Sequence, residues 1–128
     1  MEVNPRLAGG MIPRMVQAAS GIDMIWHVVA AAAGQSRVSQ QLRQDTASIR
    51  VLIADRTGTI TVVDGVEAAR SVPGVVEVSV ACAPGQQVMS RHSFRDRLGY
   101  VIAAAPDPAA AARAADLALT ALRIVVRA

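Results

Sequence analysis

The chain has 128 residues, 52% of them hydrophobic, and carries a net charge of +3 from 13 arginines and no lysine against 10 acidic residues. This length and apolar content predict one globular domain with room for a small satellite subdomain, and they exclude a disordered chain. The arginines are scattered and only Trp26, Phe94 and Tyr100 are aromatic. We therefore expect no nucleic-acid binding, which needs a basic stripe or stacking aromatics.

No apolar run approaches the roughly 20 residues that span a bilayer, and the most apolar stretch, 24–33, is interrupted by His27. The first residues lack the basic and apolar regions of a secretory signal. Cys82 is the only cysteine, which excludes an internal disulfide. We expect a cytoplasmic protein with no membrane partner.

The first residues predict a strand over 2–7 that runs into a turn at Gly9 and Gly10, where adjacent glycines permit a tight backbone. Pro13 fits the first turn of a following helix, since its fixed φ suits that position.

A second helix is predicted directly after the first. Gly21 is placed to end the first helix, and Asp23 can cap the next one. Apolar residues at helical spacing extend this second helix over about 24–33, and Gly34 is its expected end. The first 34 residues therefore predict a strand and two helices.

A polar stretch over 35–48 predicts a linker. After it, apolar residues alternate over 49–53, a turn follows at 55–58, and a second strand is predicted at 60–63. Because a short turn separates the two strands, we predict a hairpin.

The rest of the chain alternates strands and helices. We predict a helix at 66–71, strands at 75–81 and 98–105, and an alanine-rich helix that begins at Pro108 and runs to about Val125. The residues of that last helix expected in the core are Leu117, Leu122, Ile124 and Val125. Those expected in solvent are Arg113, Asp116 and Arg123. The predicted fold class is α+β, with a small antiparallel sheet and two helices on one face.

Chemistry-bearing residues concentrate near the N-terminus. Glu2, Asn4 and Arg6 are spaced two apart, so on a strand they emerge from one face. Carboxylate and amide oxygens suit Mg²⁺, and the Arg6 guanidinium can hold a phosphate or a carboxylate by two hydrogen bonds. Gly9 and Gly10 would expose backbone N–H groups to an anion. The same alternation also describes any half-exposed strand.

The string EVNPRLAGGMIPRMVQAASGIDMI resembles the last core strand and following helices of the ATP-grasp superfamily, in its L-amino acid ligase branch. Two later strings, TGTITVVDGVEAARSVPGVVEV and RLGYVIAAAPDPAAAARAADLAL, are similar to the C-terminal subdomain of that branch.

The resemblance implies roles for the N-terminal residues. Glu2 and Asn4 would be Mg²⁺ ligands, Arg6 would stabilise a phosphate or acyl phosphate, and Gly9 and Gly10 would lie beside the substrate carboxylate. ATP and Mg²⁺ are the implied cofactors, although the lysines and glycine-rich loop of the family's ATP site have no counterpart here.

The resemblance also implies an organisation and a function. Residues 1–34 would end an ATP-grasp domain, 35–48 would be a linker, and 49–128 would form a C-terminal ligase subdomain. The implied function is that of the C-terminal portion of a ligase that joins an amino acid to an amine, inactive alone. It would need an upstream ATP-grasp portion or partner subunit. The helices within 12–29 would expose apolar surface, on which homo-oligomers could form. The alternative is a non-catalytic module that binds a partner or a small ligand.

One loop invites other interpretations. His92, Ser93 and Asp96 are the residue types of a hydrolytic triad, but neighbours in one loop rarely reach that geometry. The arginines of the loop are Arg91, Arg95 and Arg97. They suit either a solvated loop or a weak second site for an anion.

Overall fold

The computed structural model describes residues 6–35, 42–91 and 93–128. The elements are α1 (Ile12–Ser20), α2 (Met24–Ala32), β1 (Thr46–Ile53), β2 (Gly58–Asp64), α3 (Val66–Arg70), β3 (Val75–Val80), β4 (Gln87–Val88), a 3₁₀ turn (Phe94–Asp96), β5 (Arg97–Ala105), α4 (Pro108–Ala121) and β6 (Arg123–Arg127). The predicted α+β class is confirmed, with four helices and two small antiparallel sheets among these residues.

The helix boundaries follow from local chemistry. Gly21 ends α1 with a φ of +81°, and its N–H donates to the Gln17 carbonyl oxygen at 2.9 Å. The Asp23 carboxylate accepts from the Trp26 N–H at 2.9 Å and caps α2. Asp107 caps α4 in the same way. These three boundaries agree with the sequence prediction.

The first sheet has the order β1-β5-β3, with every pair antiparallel. Its central strand is apolar, and Val101, Ile102 and Ala103 are at most 1% exposed. α3 and α4 cover one face, where Val101 packs with Ala118 of α4 and Ala69 of α3. The predicted placement of two helices on one face is therefore confirmed.

α1 packs against the same sheet from the opposite side. Tyr100 alternates with Val101 along β5, so the two side chains leave opposite faces. The Tyr100 hydroxyl contacts Glu77 of β3, and Glu77 pairs with Arg14 of α1. The sheet is thus covered on both faces, by α3 and α4 on one and by α1 on the other.

The second sheet has the order β4-β2-β6. Its core contains Ile60 of β2, Val88 of β4, Ala54 and Leu98. Leu98 belongs to β5 of the first sheet, so β5 extends from one core to the other.

The predicted hairpin is wrong. β1 pairs with β5, whereas β2 pairs with β4 and β6, so the two strands lie in different sheets. The separation begins at Ala54, which is buried and whose N–H donates to the Asp96 carbonyl oxygen at 2.9 Å. This contact directs the chain away from β1 before β2 begins.

The predicted helix end near Val125 is also wrong. α4 ends at Ala121, and Ile124 and Val125 lie in β6, paired with β2. β-branched residues favour the pleated backbone of a strand, and β2 offers an edge for them. Leu117, which was expected in the core, is 63% exposed, because the buried side of α4 is built from its alanines.

The predicted N-terminal strand lies mostly outside the described residues. Arg6 and Leu7 are described and belong to no strand. Of the predicted linker, residues 36–41 also lie outside the described part, and β1 already begins at Thr46.

No single helix in the described ranges is long and apolar enough to cross a membrane. α1 and α2 reach the required length and composition only when taken together, and a bend of 104° separates them.

Candidate functional site

The five residues predicted for the site fall into two groups. Glu2 and Asn4 lie outside the described residues, so their position is not part of the structure. Arg6 is exposed in a bend just before the glycine pair, and Gly9 and Gly10 form the turn that leads into α1.

The turn at Gly9 and Gly10 borders a groove. Its cavity has a volume of about 320 Å³ and lies between this turn and the first sheet. The lining residues are Gly10, Met11, Ile49, Val51, Ser79, Ala81, Arg97, Gly99 and Tyr100. We call this cavity the sheet groove. It has an apolar floor with a few polar side chains at its border, which is the usual composition of a small-ligand site.

The backbone at the edge of the groove is unusual. Gly10 and Met11 both have left-handed conformations, with φ of +66° and +67°. Met11 is the one non-glycine residue with a positive φ in the described ranges, at a cost on the order of 1–3 kcal/mol. The Ile12 N–H donates to the Gly9 carbonyl oxygen at 3.3 Å and closes the turn. Strain of this kind clusters at functional sites, which agrees with a ligand-facing turn.

A chain of polar contacts connects α1 to the groove. The Tyr100 hydroxyl donates to Glu77 Oε1 at 2.6 Å, and Glu77 Oε2 lies 3.3 Å from Arg14 Nε. The hydrogen bond to Glu77, then burial, and then the negative charge of Glu77 raise the pKa of Tyr100 above its usual value of 10.0. The phenol therefore stays protonated at neutral pH, and its one O–H donates to Glu77.

At Gly99, in the floor of the groove, the backbones of β5 and β3 lie too close for a side chain. A Cβ placed on Gly99 would collide with the Ser79 carbonyl oxygen and lie 3.0 Å from Val80 Cα. Glycine is therefore required where β5 passes β3, and it keeps this part of the groove open.

The described residues do not form a magnesium site. Across 6–35, 42–91 and 93–128, no group of three or more His, Cys, Asp or Glu side chains could hold a metal ion. The magnesium ligands predicted from the sequence, Glu2 and Asn4, are outside these ranges. The described part of the chain thus offers no group of this kind to Mg²⁺.

The loop before β5 is not a catalytic triad. Asp96 Oδ2 accepts from the Ser93 N–H at 3.0 Å, while Ser93 Oγ accepts from the Arg95 N–H at 3.2 Å. These bonds form a capping box around the 3₁₀ turn, so both side chains stabilise the loop. His92 lies outside the described residues.

Only Gly10 of the lining residues was predicted for the site, and the three with polar side chains, Ser79, Arg97 and Tyr100, were not. They are separated by many residues from Gly10, and only the sheet brings them together. A signal for Tyr100 was present in the sequence, because a phenol inside an apolar strand needs a hydrogen-bond partner.

Comparisons with known proteins identify a family and a relative for this chain. A family model described as L-amino acid ligase C-terminal domain 2 matches residues 50–127. The uncharacterized protein y4rH of Sinorhizobium fredii (strain NBRC 101917 / NGR234) is 40% identical over 111 residues. This match covers 87% of the chain and 23% of y4rH, so the chain spans about a quarter of that relative.

Two solved structures share the fold. The L-amino acid ligase from Bacillus licheniformis matches 93% of the chain and 30% of its own length, with a TM-score of 0.74 and 17% identity. The phosphoribosylglycinamide synthetase from Anaerococcus prevotii matches 91% of the chain and 30% of its own length, with a TM-score of 0.78 and 13% identity. The resemblance to the L-amino acid ligase branch read from the sequence is confirmed by the family model, and the chain belongs to the family of L-amino acid ligase C-terminal domain 2.

Proposed function

We propose that the chain is the C-terminal portion of an ATP-grasp ligase that joins the carboxylate of an amino acid to an amine through an acyl phosphate. The observation that carries the proposal is the sheet groove. Its border is the glycine turn expected to face the substrate, and its floor belongs to the domain that the family model matches.

Roles of individual residues follow the resemblance. Gly9 and Gly10 would offer backbone N–H groups to the substrate carboxylate at the edge of the groove. The exposed Arg6 would stabilise the phosphate or the acyl phosphate by charge-assisted hydrogen bonds. Glu2 and Asn4 would supply oxygen ligands to Mg²⁺ bound with ATP. The groove itself would hold the apolar part of the amino acid.

The proposed activity requires a second portion. The chain corresponds to 30% of each similar solved enzyme and 23% of y4rH. We propose that the rest of the ATP site comes from an upstream portion or a partner subunit, and that the chain alone is inactive.

Reconstitution with y4rH tests the proposal. The part of y4rH outside the matched segment is mixed with this chain, and ADP release that depends on amino acids is measured. Release above that of the y4rH part alone is expected, with a strong loss for Arg6→Gln and none for the matched control Arg113→Gln. As a positive control, the matched segment of y4rH is added back as a separate polypeptide. If that segment restores ADP release and this chain does not, the proposal is wrong.

A second function, that of a non-catalytic binding module, has one observation in its favour. The three hydrophobic clusters of the described chain contain no residue from 6–35. These clusters of the predicted C-terminal subdomain, 49–128, thus form without the N-terminal segment, although α1 covers one face of the first sheet. Deletion of residues 1–34 separates the two functions, because a module would keep its ligand binding while a ligase portion would lose ADP release.

A further inference from the structure

A second cavity adjoins the sheet groove at the start of β5. Its volume is about 270 Å³, and it is formed where the loop before β5 meets β4. Three of its lining residues are arginines: Arg91, Arg95 and Arg97. We call it the arginine cavity. It shares Ala81 and Arg97 with the sheet groove, whereas Arg91 and Arg95 belong to the arginine cavity and have no role in the proposed ligase chemistry.

Several described residues of the loop that carries these arginines are hydrogen-bonded to one buried carboxylate or to each other. Asp96 is 3% exposed, and its Oδ2 accepts from the N–H groups of Arg91 at 2.8 Å and Ser93 at 3.0 Å. The Asp96 carbonyl oxygen in turn accepts from the Ala54 N–H. Asp96 thus joins the described residues on both sides of position 92, and its backbone connects them to the residue that follows β1. The backbone N–H groups of Arg91 and Arg95 are held by these side chains, which lowers the entropic cost of ordering this part of the backbone when a ligand binds.

The charges of these arginines are not neutralised within the described chain. Its ion pairs involve other arginines, namely Arg14, Arg50, Arg56 and Arg70. Arg91 instead contacts the Met89 sulfur at 3.2 Å, and the Arg95 guanidinium lies 5.8 Å from the centre of the Phe94 ring. All three cavity arginines are exposed. The three positive charges of these arginines therefore exceed the one negative charge of Asp96, and the resulting positive potential attracts anions to the cavity.

The volume of the arginine cavity and its guanidinium groups indicate which class of ligand it can bind. A volume of about 270 Å³ is at the lower end for ligand pockets, so the occupant is small. Guanidinium groups bind carboxylates and phosphates through paired hydrogen bonds. Three of them offer more donors than the two oxygens of a carboxylate can accept, whereas a phosphate group presents at least three oxygens. We propose that the arginine cavity binds a phosphate group, either as free phosphate or on a small organic molecule.

Binding of inorganic phosphate to the intact chain tests this proposal. Titration calorimetry at constant ionic strength, with chloride as the reference anion, is expected to give saturable binding. Arg91→Gln and Arg95→Gln should each raise the dissociation constant for phosphate by about tenfold, since each removes a charge-assisted hydrogen bond. Arg113→Gln is the matched control, because this exposed arginine of α4 lies outside the cavity and carries the same charge. Titration with O-phosphoserine against serine distinguishes an organic phosphate from the free ion.

Thermal unfolding separates binding from general salt effects. Phosphate also stabilises proteins by exclusion from their surface, and that effect would persist in every variant. A bound phosphate therefore raises the unfolding midpoint of the wild type and of Arg113→Gln by more than that of the two cavity variants, in which mainly the exclusion effect remains. Both cavity variants should keep the wild-type midpoint in chloride, since the replaced side chains are exposed. The proposal is overturned if phosphate binds no better than chloride, or if Arg113→Gln weakens binding as much as the cavity variants.

Discussion

Replacement of Gly99 by alanine should destabilise the fold strongly, because β5 and β3 leave no room for a side chain there. The new Cβ would collide with the Ser79 carbonyl oxygen and lie 3.0 Å from Val80 Cα and 3.1 Å from the Ser79 carbonyl carbon. These are backbone atoms of a paired strand, so the collision can be relieved only if β3 moves. Overpacking of a core costs about 1–3 kcal/mol, and contact with backbone favours the upper end of that range.

For a chain of 128 residues, about 3 kcal/mol corresponds to a loss of roughly 10 °C in the unfolding midpoint. Calorimetry or circular dichroism measures this loss. Gly9→Ala is the matched control, since nothing lies within 4 Å of a Cβ at that position. We expect no loss of stability for the control. If Gly99→Ala unfolds within about 2 °C of the wild type, the close approach of β3 and β5 is wrong.

Three further predictions concern single side chains. Tyr100 is the only tyrosine, and Glu77 raises its pKa above 10.0, so absorbance at 295 nm should titrate above that value in the folded chain. The stability from the contact between Tyr100 and Glu77 is fully present below about pH 10 and is lost as pH rises through the folded pKa. Tyr100→Phe should remove this part of the pH dependence of the free energy of unfolding, measured with denaturant at pH 9 and 12. Asp107→Ala removes the N-cap of α4 and should lower the free energy of unfolding by about 1 kcal/mol in urea. The hydrogen bond from Arg50 lowers the pKa of Asp116 below 3.8. The contribution of this contact to stability is therefore present above that pH and is lost as pH falls through the folded pKa. Asp116→Asn should weaken the acid sensitivity of unfolding, and an unchanged acid transition would contradict the contact.

Local chemistry predicted the end of α1 and the starts of α2 and α4, because each of these boundaries is fixed by residues that are close in sequence. Gly21, Asp23 and Asp107 act where the sequence places them. The pairing of strands depends on distant residues and was predicted less well. The sequence around residues 49–63 reads as a hairpin, yet β1 finds its partner in β5, about 50 residues later.

The C-terminal end shows a different source of error. The run Ile124 to Val126 is continuously apolar, so periodicity alone does not distinguish a helix from a strand. Its β-branched residues were the better indicator, and they lie in β6. The site was predicted in part for the same reason as the fold. Gly10 lies at the sheet groove as a local turn, whereas Tyr100 and Ser79 reach it only through the pairing of β3 with β5.

The path of β5 has a consequence for how the molecule unfolds. Leu98 lies in the core of the second sheet, while Val101 and Ala103 lie in the clusters beneath α3 and α4. A single strand therefore contributes to the cores of both sheets. Because β5 cannot leave one core without leaving the other, we expect the two sheets to unfold together. We expect the amide hydrogens of β5 to exchange with solvent only through global opening, and the two sheets to lose their structure in one cooperative transition.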